Sequence, residues 1–261
     1  MNCLIETALL THGLRSIANE ELAQSWHCPD ALLAWVDGGK LKLGPIGEYL
    51  PYRERSEELI RIDCDHLEEA LQTGASGALT ASGTMAVCRR LDIPMAITCG
   101  MGGIGDLRGE ELCPDLPALM NIPVALISTS PKDMLDRPAT LDWLRRHGVH
   151  TAGEPCTGYL FCGEPVALEL PLSSCNNEAA VRRLTANGGL LLLNPIPEKE
   201  RVQDQSILVD AIKAGKQAEA EGHYYHPAAN GEIDRRTDGY SSRIQLESIQ
   251  QNYLLAKSIM D

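Results

Sequence analysis

The segment Pro94-Met95-Ala96-Ile97-Thr98 is a short apolar run, and Cys99-Gly100-Met101-Gly102-Gly103-Ile104-Gly105 follows it directly with four glycines. A short apolar run bounded by glycine is typical of a buried strand. A helical pattern at Leu116 to Met120 separates it from the next apolar run, Val124 to Ser128. Strand, loop and helix in alternation predict parallel strands covered by helices.

This alternation extends over the rest of the chain. Further strands are predicted at Leu4 to Leu10, Ala31 to Val36, Lys40 to Leu43 and Leu190 to Leu193. Helices are predicted around Ile17, Leu22 and Trp26, and at Thr80 to Leu91, Thr140 to His147, Glu178 to Thr185, Ser206 to Glu221 and Arg243 to Met260. Asp37-Gly38-Gly39 is typical of a hairpin turn, and Tyr224 to Tyr240 is predicted as the longest loop. We expect a single α/β domain over residues 1-261, with a largely parallel sheet flanked by helices and its site at the carboxyl ends of the strands.

Composition excludes several classes of protein. The formal net charge of -13 opposes binding to a nucleic-acid backbone, which needs a basic face. Residues 1-14 have an acid and no basic flank, unlike a signal peptide, and no apolar stretch approaches the roughly 20 residues that span a bilayer. The nine cysteines include no C-x-x-C pair, as expected for reduced thiols. We therefore expect a cytoplasmic protein that binds neither nucleic acid nor membrane.

Two segments have the composition of an anion site. The glycines between Gly100 and Gly105 allow backbone amides to approach a phosphate, but they fit a merely tight turn equally well. Gly77 to Met85 places hydroxyl residues at the start of a predicted helix. Such a helix end binds anions, and ordinary N-capping explains the same residues.

Lys132 lies just beyond a predicted strand, in Ser128-Thr129-Ser130-Pro131-Lys132. A lysine at such a strand end can lose solvent, which lowers its pKa and frees the amine to attack a carbonyl. Most loop lysines are solvated instead. The nearby acids Glu110, Glu111 and Asp115 are either surface charges or partners of that lysine.

Two histidine pairs, His147 with His150 and His223 with His226, have a spacing of three residues. Histidines at this spacing on one face of a helix can bind a metal. However, His147 ends a predicted helix and the second pair lies in the predicted loop. We therefore expect neither pair to bind a metal.

In order along the chain, these segments resemble the pseudouridine-5'-phosphate glycosidase family, which includes the indigoidine synthase A-like proteins. The likeness is carried by Glu6 to Gly13, Gly38 to Gly44, Gly77 to Met85, Thr98 to Gly103, Glu111 to Leu116, Pro131 to Asp136 and Gly188 to Glu198. The last of these, Gly-Gly-Leu followed by Asn-Pro-Ile-Pro-Glu, matches the family pattern almost letter for letter. Lys132 falls on the family's lysine.

The resemblance implies a mechanism. Lys132 would attack C1' of an opened ribose to give a Schiff base, while Glu6 and Asp115 move protons. The substrate would be bound by Arg61, Thr80, Thr84, Thr98, Gly102, Gly103, Cys113, Asn194 and Arg243, with the three threonines on its phosphate. Its 5'-phosphate would lie between the glycine loop and the start of the Thr80 helix. The family also implies manganese or another divalent cation beside Glu111, and a homotrimer.

This chain departs from the family pattern within the site itself. Arg61 replaces a lysine, Cys113 replaces a serine, and the histidine of the glycine loop is absent, with Gly105 nearest to it. Arg243 stands where relatives have an asparagine that reaches the base, and a guanidinium there favours an acidic acceptor unless Asp234 or Asp238 neutralises it. The family's T-P-F motif is reduced to His226-Pro227.

Three functions follow from this pattern. The first is a glycosidase that acts reversibly on pseudouridine 5'-phosphate or a related C-ribosyl phosphate. The second is a C-ribosylating synthase that acts on a different aromatic acceptor, an acidic one included, and the third is a silent sugar-phosphate-binding protein. Retention of Glu6, Asp115 and Lys132 together argues against the third, since binding alone does not need all of them.

Overall fold

The computed structural model describes residues 2–105, 113–155, 157–186, 188–222 and 225–260. The strands are β1 Cys3–Ile5, β2 Leu33–Asp37, β3 Lys40–Gly44, β4 Ile60–Ile62, β5 Gly77–Leu79, β6 Met95–Ile97, β7 Gly100–Met101, β8 Ala125–Ser128, β9 Ser130–Pro131, β10 His150–Gly153, β11 Leu170–Pro171 and β12 Leu190–Leu193. Ten of them form one sheet in the order β11-β10-β12-β8-β6-β1-β2-β5-β4, with β3 paired to β2, while β7 pairs with β9 separately.

Helices cover this sheet. They are α1 Asn19–Ser25, α2 Ile46–Arg53, α3 Leu67–Thr73, α4 Ala81–Arg90, α5 Asp115–Asn121, α6 Arg137–Arg146, α7 Glu178–Ala186, α8 Gln205–Ala220, α9 Tyr225–Arg236 and α10 Tyr240–Met260. Of the helices in the described ranges, none is both long and apolar enough to cross a membrane.

The sheet is parallel from β11 through β2, whereas β2 pairs antiparallel with β3 and β5. Ile5, Ile97 and Ile127 lie side by side in register, so β1, β6 and β8 end at one edge. Successive side chains point to opposite faces, and both faces are buried, which accounts for the continuous apolar runs. The predicted α/β class with a largely parallel sheet is confirmed.

Side-chain caps fix where several helices begin. Thr80 Oγ1 accepts a hydrogen bond from Gly83 N at the start of α4, and Asp136 accepts one from Ala139 N at the start of α6. A capping oxygen satisfies an amide that has no partner within the helix. The N-capping alternative for the segment around Thr80 is therefore confirmed.

The predicted strand Leu4 to Leu10 is wrong beyond Ile5. Thr7 ends the strand, because its hydroxyl donates to Ala34 O at 2.8 Å and accepts from Leu79 N at 2.9 Å. Leu9–Gly13 then forms a π-helix in which Leu10 is fully buried. A buried helical turn and a buried strand have the same apolar composition, so periodicity does not separate them.

The predicted loop Tyr224 to Tyr240 is also wrong, because α9 occupies most of it. Ala229 and Ile233 are at most 1% exposed on the inner face of this helix. The Tyr225 ring lies against Gly215 of α8, where a Cβ would come within 2.7 Å of it. Packing against α8 therefore forms a helix where glycine, proline and polar residues indicated a loop.

Candidate active site

A cavity of about 500 Å³ opens where the parallel strands end. Its lining includes Arg61, Asp63, His66, Glu69, Thr80, Ser82, Gly102, Cys113, Asp115, Lys132 and His226. The predicted position, at the carboxyl ends of the strands, matches this cavity. The cavity lining includes Lys132 and Asp115, two of the three predicted catalytic residues. The third, Glu6, interacts electrostatically with both.

Lys132 is held at the end of a two-strand ribbon. β9 pairs with β7, and the Lys132 amide donates to Met101 O at 3.2 Å. Burial lowers the pKa of the Lys132 ammonium, and the nearby charge of Arg61 lowers it further. The charge of Glu6 acts in the other direction and raises this pKa. A lowered pKa increases the fraction of neutral amine, which is the form that attacks a carbonyl.

Glu6 follows β1 and is 6% exposed. Burial raises the pKa of its carboxyl to about 7, although Thr98 Oγ1, which donates to Glu6 Oε1 at 2.6 Å, works in the opposite direction. The charge of Asp115 adds to the increase. A carboxyl that titrates near neutral pH can both give and take a proton.

Asp115 begins α5 and is fixed by two backbone amides. Ser82 N donates to Oδ1 at 3.1 Å and Gly102 N donates to Oδ2 at 2.8 Å. These amides belong to the start of α4 and to the glycine loop, the two segments that we predicted to hold a phosphate. Both segments do bind an anionic group here, but that group is the chain's own carboxylate. The predicted phosphate position therefore offers fewer amide donors than the sequence indicated.

The three predicted phosphate-binding threonines occupy different positions. Thr80 lines the cavity while capping α4. The hydroxyl of Thr98 is committed to Glu6, and the fully buried Thr84 donates to Thr80 O at 2.8 Å. Thr84 therefore supports the helix from within and is not among the residues that line the cavity.

Gly102 and Gly103 are in close contact with their neighbours. A Cβ on Gly102 would lie 2.0 Å from Cys113 Sγ, and one on Gly103 would lie 2.5 Å from Thr140 Oγ1. The glycine loop is thus a tight turn as well as an amide donor. Cys113 faces the cavity, and burial raises the pKa of its thiol to about 12, so the thiol stays neutral.

The structure does not bring Arg243 to the Lys132 cavity. Arg243 Nε donates to Glu21 Oε1 at 2.9 Å, and Nη1 donates to Asp238 O at 3.2 Å. Together with Asn194, Arg243 lines a separate groove. The base-reading role of Arg243 therefore has no geometric support in the described part of the chain.

Asn194 is connected to the site through a chain of hydrogen bonds. Its Nδ2 donates to Asn252 Oδ1 at 3.0 Å, and Asn252 Nδ2 donates to Thr98 O at 2.7 Å. Thr98 in turn bonds Glu6. A chain of hydrogen bonds thus connects Asn194 with the Glu6 carboxyl, and Asn194 is not among the residues that line the cavity.

The predicted metal ligand Glu111 lies outside the described residues. Within them, no group of three or more histidines, cysteines, aspartates or glutamates could hold a metal ion. His226 was not among the residues predicted to bind substrate, although the reduced T-P-F motif includes it, and it lines the cavity from the first turn of α9. Two signals could have placed it at this site: the position of the reduced T-P-F motif and correct prediction of α9 as a helix.

Comparisons with known proteins show what the chain is similar to. The family model described as Indigoidine synthase A like protein matches residues 4–260. A pseudouridine-5'-phosphate glycosidase of Petrotoga mobilis is 26% identical over 98% of this chain and 89% of its own length. One from Streptomyces griseus is 28% identical, over 98% and 85%.

Solved structures share the fold. The prealnumycin C-glycosynthase in complex with ribulose 5-phosphate superposes with a TM-score of 0.77 at 22% identity, covering 99% of this chain and 91% of that one. An indigoidine synthase A-like protein from Thermotoga maritima gives 0.73 at 18% identity, with 98% and 91% covered. Because the family model spans nearly the whole sequence, the chain belongs to the Indigoidine synthase A like protein family.

Proposed function

We propose that this protein is a Schiff-base glycosidase that acts reversibly on the C-glycosidic bond of pseudouridine 5'-phosphate or a related C-ribosyl phosphate. Its products are ribose 5-phosphate and a free base. The observation that carries the proposal is a buried lysine with a lowered pKa, Lys132, in one cavity with Asp115 and beside Glu6. Relatives named as pseudouridine-5'-phosphate glycosidases, similar over 98% of this chain, support it.

The chemistry accounts for the residue types. A carbon-carbon glycosidic bond has no basic leaving atom, so the ribose ring must open before the bond can break. The neutral amine of Lys132 then adds to C1' of the opened sugar. When the bond between C1' and the base breaks, its electron pair goes to the base carbon, which takes up a proton, and the nitrogen lone pair forms the imine at C1'. Water releases ribose 5-phosphate from the lysine and completes the reaction.

The two carboxyl groups have different tasks in this proposal. Glu6, with a pKa of about 7, exchanges protons with the ring oxygen and the amine as the ring opens and closes. Asp115 is oriented by the amides of Ser82 and Gly102, which suits a fixed proton acceptor beside the reacting carbon. A binding protein would have no need for this difference.

Release of free base from pseudouridine 5'-phosphate tests the proposal. Incubation of the purified protein with that compound should yield uracil and ribose 5-phosphate in equal amounts, measured by chromatography. A synthase with another acceptor would bind ribose 5-phosphate and release no uracil. A silent binding protein would, in addition, give no product with any acceptor.

Arg61 provides the first prediction about the substrate. Among the described residues it forms no ion pair, and it faces the cavity together with Lys132. A guanidinium bound to phosphate contributes about 1.5 to 3 kcal/mol, as for other hydrogen bonds to charged groups. Arg61→Ala should therefore weaken ribose 5-phosphate binding by that amount, measured by calorimetry, while Arg61→Lys retains part of it. Unchanged affinity in Arg61→Ala would place the phosphate elsewhere.

Arg243 provides the second prediction about the substrate. Its ion pair with Glu21 lies at the surface, with the two side chains 52% and 37% exposed. Exposed pairs contribute about 0 to 1 kcal/mol to stability. Because Arg243 lines a separate groove and not the Lys132 cavity, Arg243→Asn should change kcat/KM for pseudouridine 5'-phosphate by less than about twofold. This factor corresponds to about 0.4 kcal/mol. A large gain in uracil release by this variant would instead restore the hypothesis of an acidic acceptor.

Two further parts of the proposal rest on family resemblance alone. Manganese or another divalent cation beside Glu111 stays a prediction, and so does the homotrimer. Localisation in the cytoplasm is also a proposal, supported by the nine cysteines without a C-x-x-C pair. None of these is needed for the lysine chemistry described above.

A further inference from the structure

His226 enters the cavity from an element that the sequence did not predict. It lies in the first turn of α9, whose inner face packs on α8 through Tyr225 and Gly215. The imidazole lines the same cavity as Lys132 and Arg61, and the positive charges of both reach it. Helix packing therefore places the His226 imidazole in the cavity that Lys132 and Arg61 line.

The surroundings of the ring determine its protonation. Nδ1 is enclosed and has no hydrogen-bond partner among the described residues. A proton on Nδ1 would bury an unpaired N–H, which costs more than burying an unpaired acceptor. Burial, together with the charges of Lys132 and Arg61, lowers the pKa of His226 to about 3. The ring is therefore neutral at working pH, with its proton on Nε2.

We propose that His226 is a substrate-binding residue that donates a hydrogen bond from Nε2 to an oxygen of the ribosyl phosphate. Lys132, Arg61 and His226 all present nitrogen donors to one cavity, so the ligand that fits them is rich in acceptor oxygens. A sugar phosphate supplies such oxygens from its hydroxyl and phosphoryl groups. This inference rests on the proposed function and adds a binding residue to it.

Two variants that differ by one methylene group test the proposal. In His226→Gln the amide nitrogen can reach the position of Nε2, whereas in His226→Asn it reaches only that of Nδ1. Loss of one hydrogen bond should raise the Kd for ribose 5-phosphate about tenfold in His226→Asn and His226→Ala, a change equivalent to about 1.4 kcal/mol. His226→Gln should stay within about threefold of the wild type.

Calorimetry with ribose 5-phosphate and, separately, with inorganic phosphate measures these constants. A parallel loss for both ligands assigns the contact to a phosphoryl oxygen, and a loss confined to ribose 5-phosphate assigns it to a sugar hydroxyl; either result supports the proposal. His147→Ala, at an exposed histidine stacked on Trp143, controls for general effects of removing an imidazole. Circular dichroism checks that each variant is folded.

Equal affinity of the wild type, His226→Asn and His226→Ala for ribose 5-phosphate would overturn the inference and leave the proposed function intact. So would a weaker His226→Gln than His226→Asn. Failure of the wild type itself to bind ribose 5-phosphate would overturn both the proposed function and this inference.

Discussion

In Lys132→Ala, borohydride treatment in the presence of ribose 5-phosphate should give no covalent adduct. In the wild type, the amine of Lys132 condenses with the C1' aldehyde, and borohydride reduces the imine to a stable secondary amine. Without this nucleophile we expect uracil release to fall by more than about 1,000-fold, as in other enzymes that lose their covalent nucleophile. Mass mapping of peptides identifies the modified lysine, and chromatography measures the uracil.

Lys40 provides the control for this experiment. It is exposed on β3, away from the cavity, so Lys40→Ala should trap the sugar as the wild type does. Lys132→Arg keeps the positive charge but cannot form an imine, which separates charge from nucleophilicity. An adduct on Lys40 or Lys42, or one that persists in Lys132→Ala, would show that Lys132 is not the nucleophile.

Much of the fold could be predicted because its signals are local. Ala125–Ser128 and Leu190–Leu193 are short apolar runs buried on both faces, and such runs are found in parallel sheets. The cap at Thr80 joins residues three apart, and the positive φ angles of the hairpin turn fall on the glycines Gly38 and Gly39 themselves. The helix α9 could not be predicted in this way, since its stability comes from α8, a separate element.

The site likewise has features that local sequence motifs predict and features that depend on distant residues. Lys132, Glu6 and Asp115 were identified by motif, and the strand ends bring them together. The Asp115 carboxylate accepts hydrogen bonds from an amide in each of the two predicted anion sites. The partners in these bonds are 33 and 13 residues away along the chain. The bond between Arg243 and Glu21 spans 222 residues. No local pattern carries such information, so these partners could not be inferred from sequence.

Glu6 carries the second large expected effect, on stability as well as on catalysis. Burial raises its pKa from 4.5 to about 7 in the folded protein. Between these two pH values the folded chain holds a proton that the unfolded chain has lost, so stability falls as pH rises through this window. At 1.36 kcal/mol per pKa unit the fall amounts to about 3 kcal/mol.

Glu6→Gln removes the ionisation and keeps a carbonyl oxygen that can accept from Thr98. The variant should therefore lack the fall in stability between pH 4.5 and 7, and at pH 8 it should be more stable than the wild type by up to about 3 kcal/mol. Denaturant titrations across this range measure the difference. Glu20→Gln, at an exposed position on α1, should follow the wild-type curve.

The rate of catalysis by Glu6→Gln should fall, whereas its stability at pH 8 should rise. Loss of a positioned proton carrier typically costs about 100- to 10,000-fold in rate, so uracil release by Glu6→Gln should fall within that range. The wild-type rate should also show a change in slope near pH 7 that the variant lacks. A variant that is more stable yet inactive would indicate that the buried carboxyl is kept for proton transfer at the expense of stability. If stability fell with pH in Glu6→Gln as steeply as in the wild type, another buried group would have to account for it, and the assignment of the neutral-pH titration to Glu6 would be wrong.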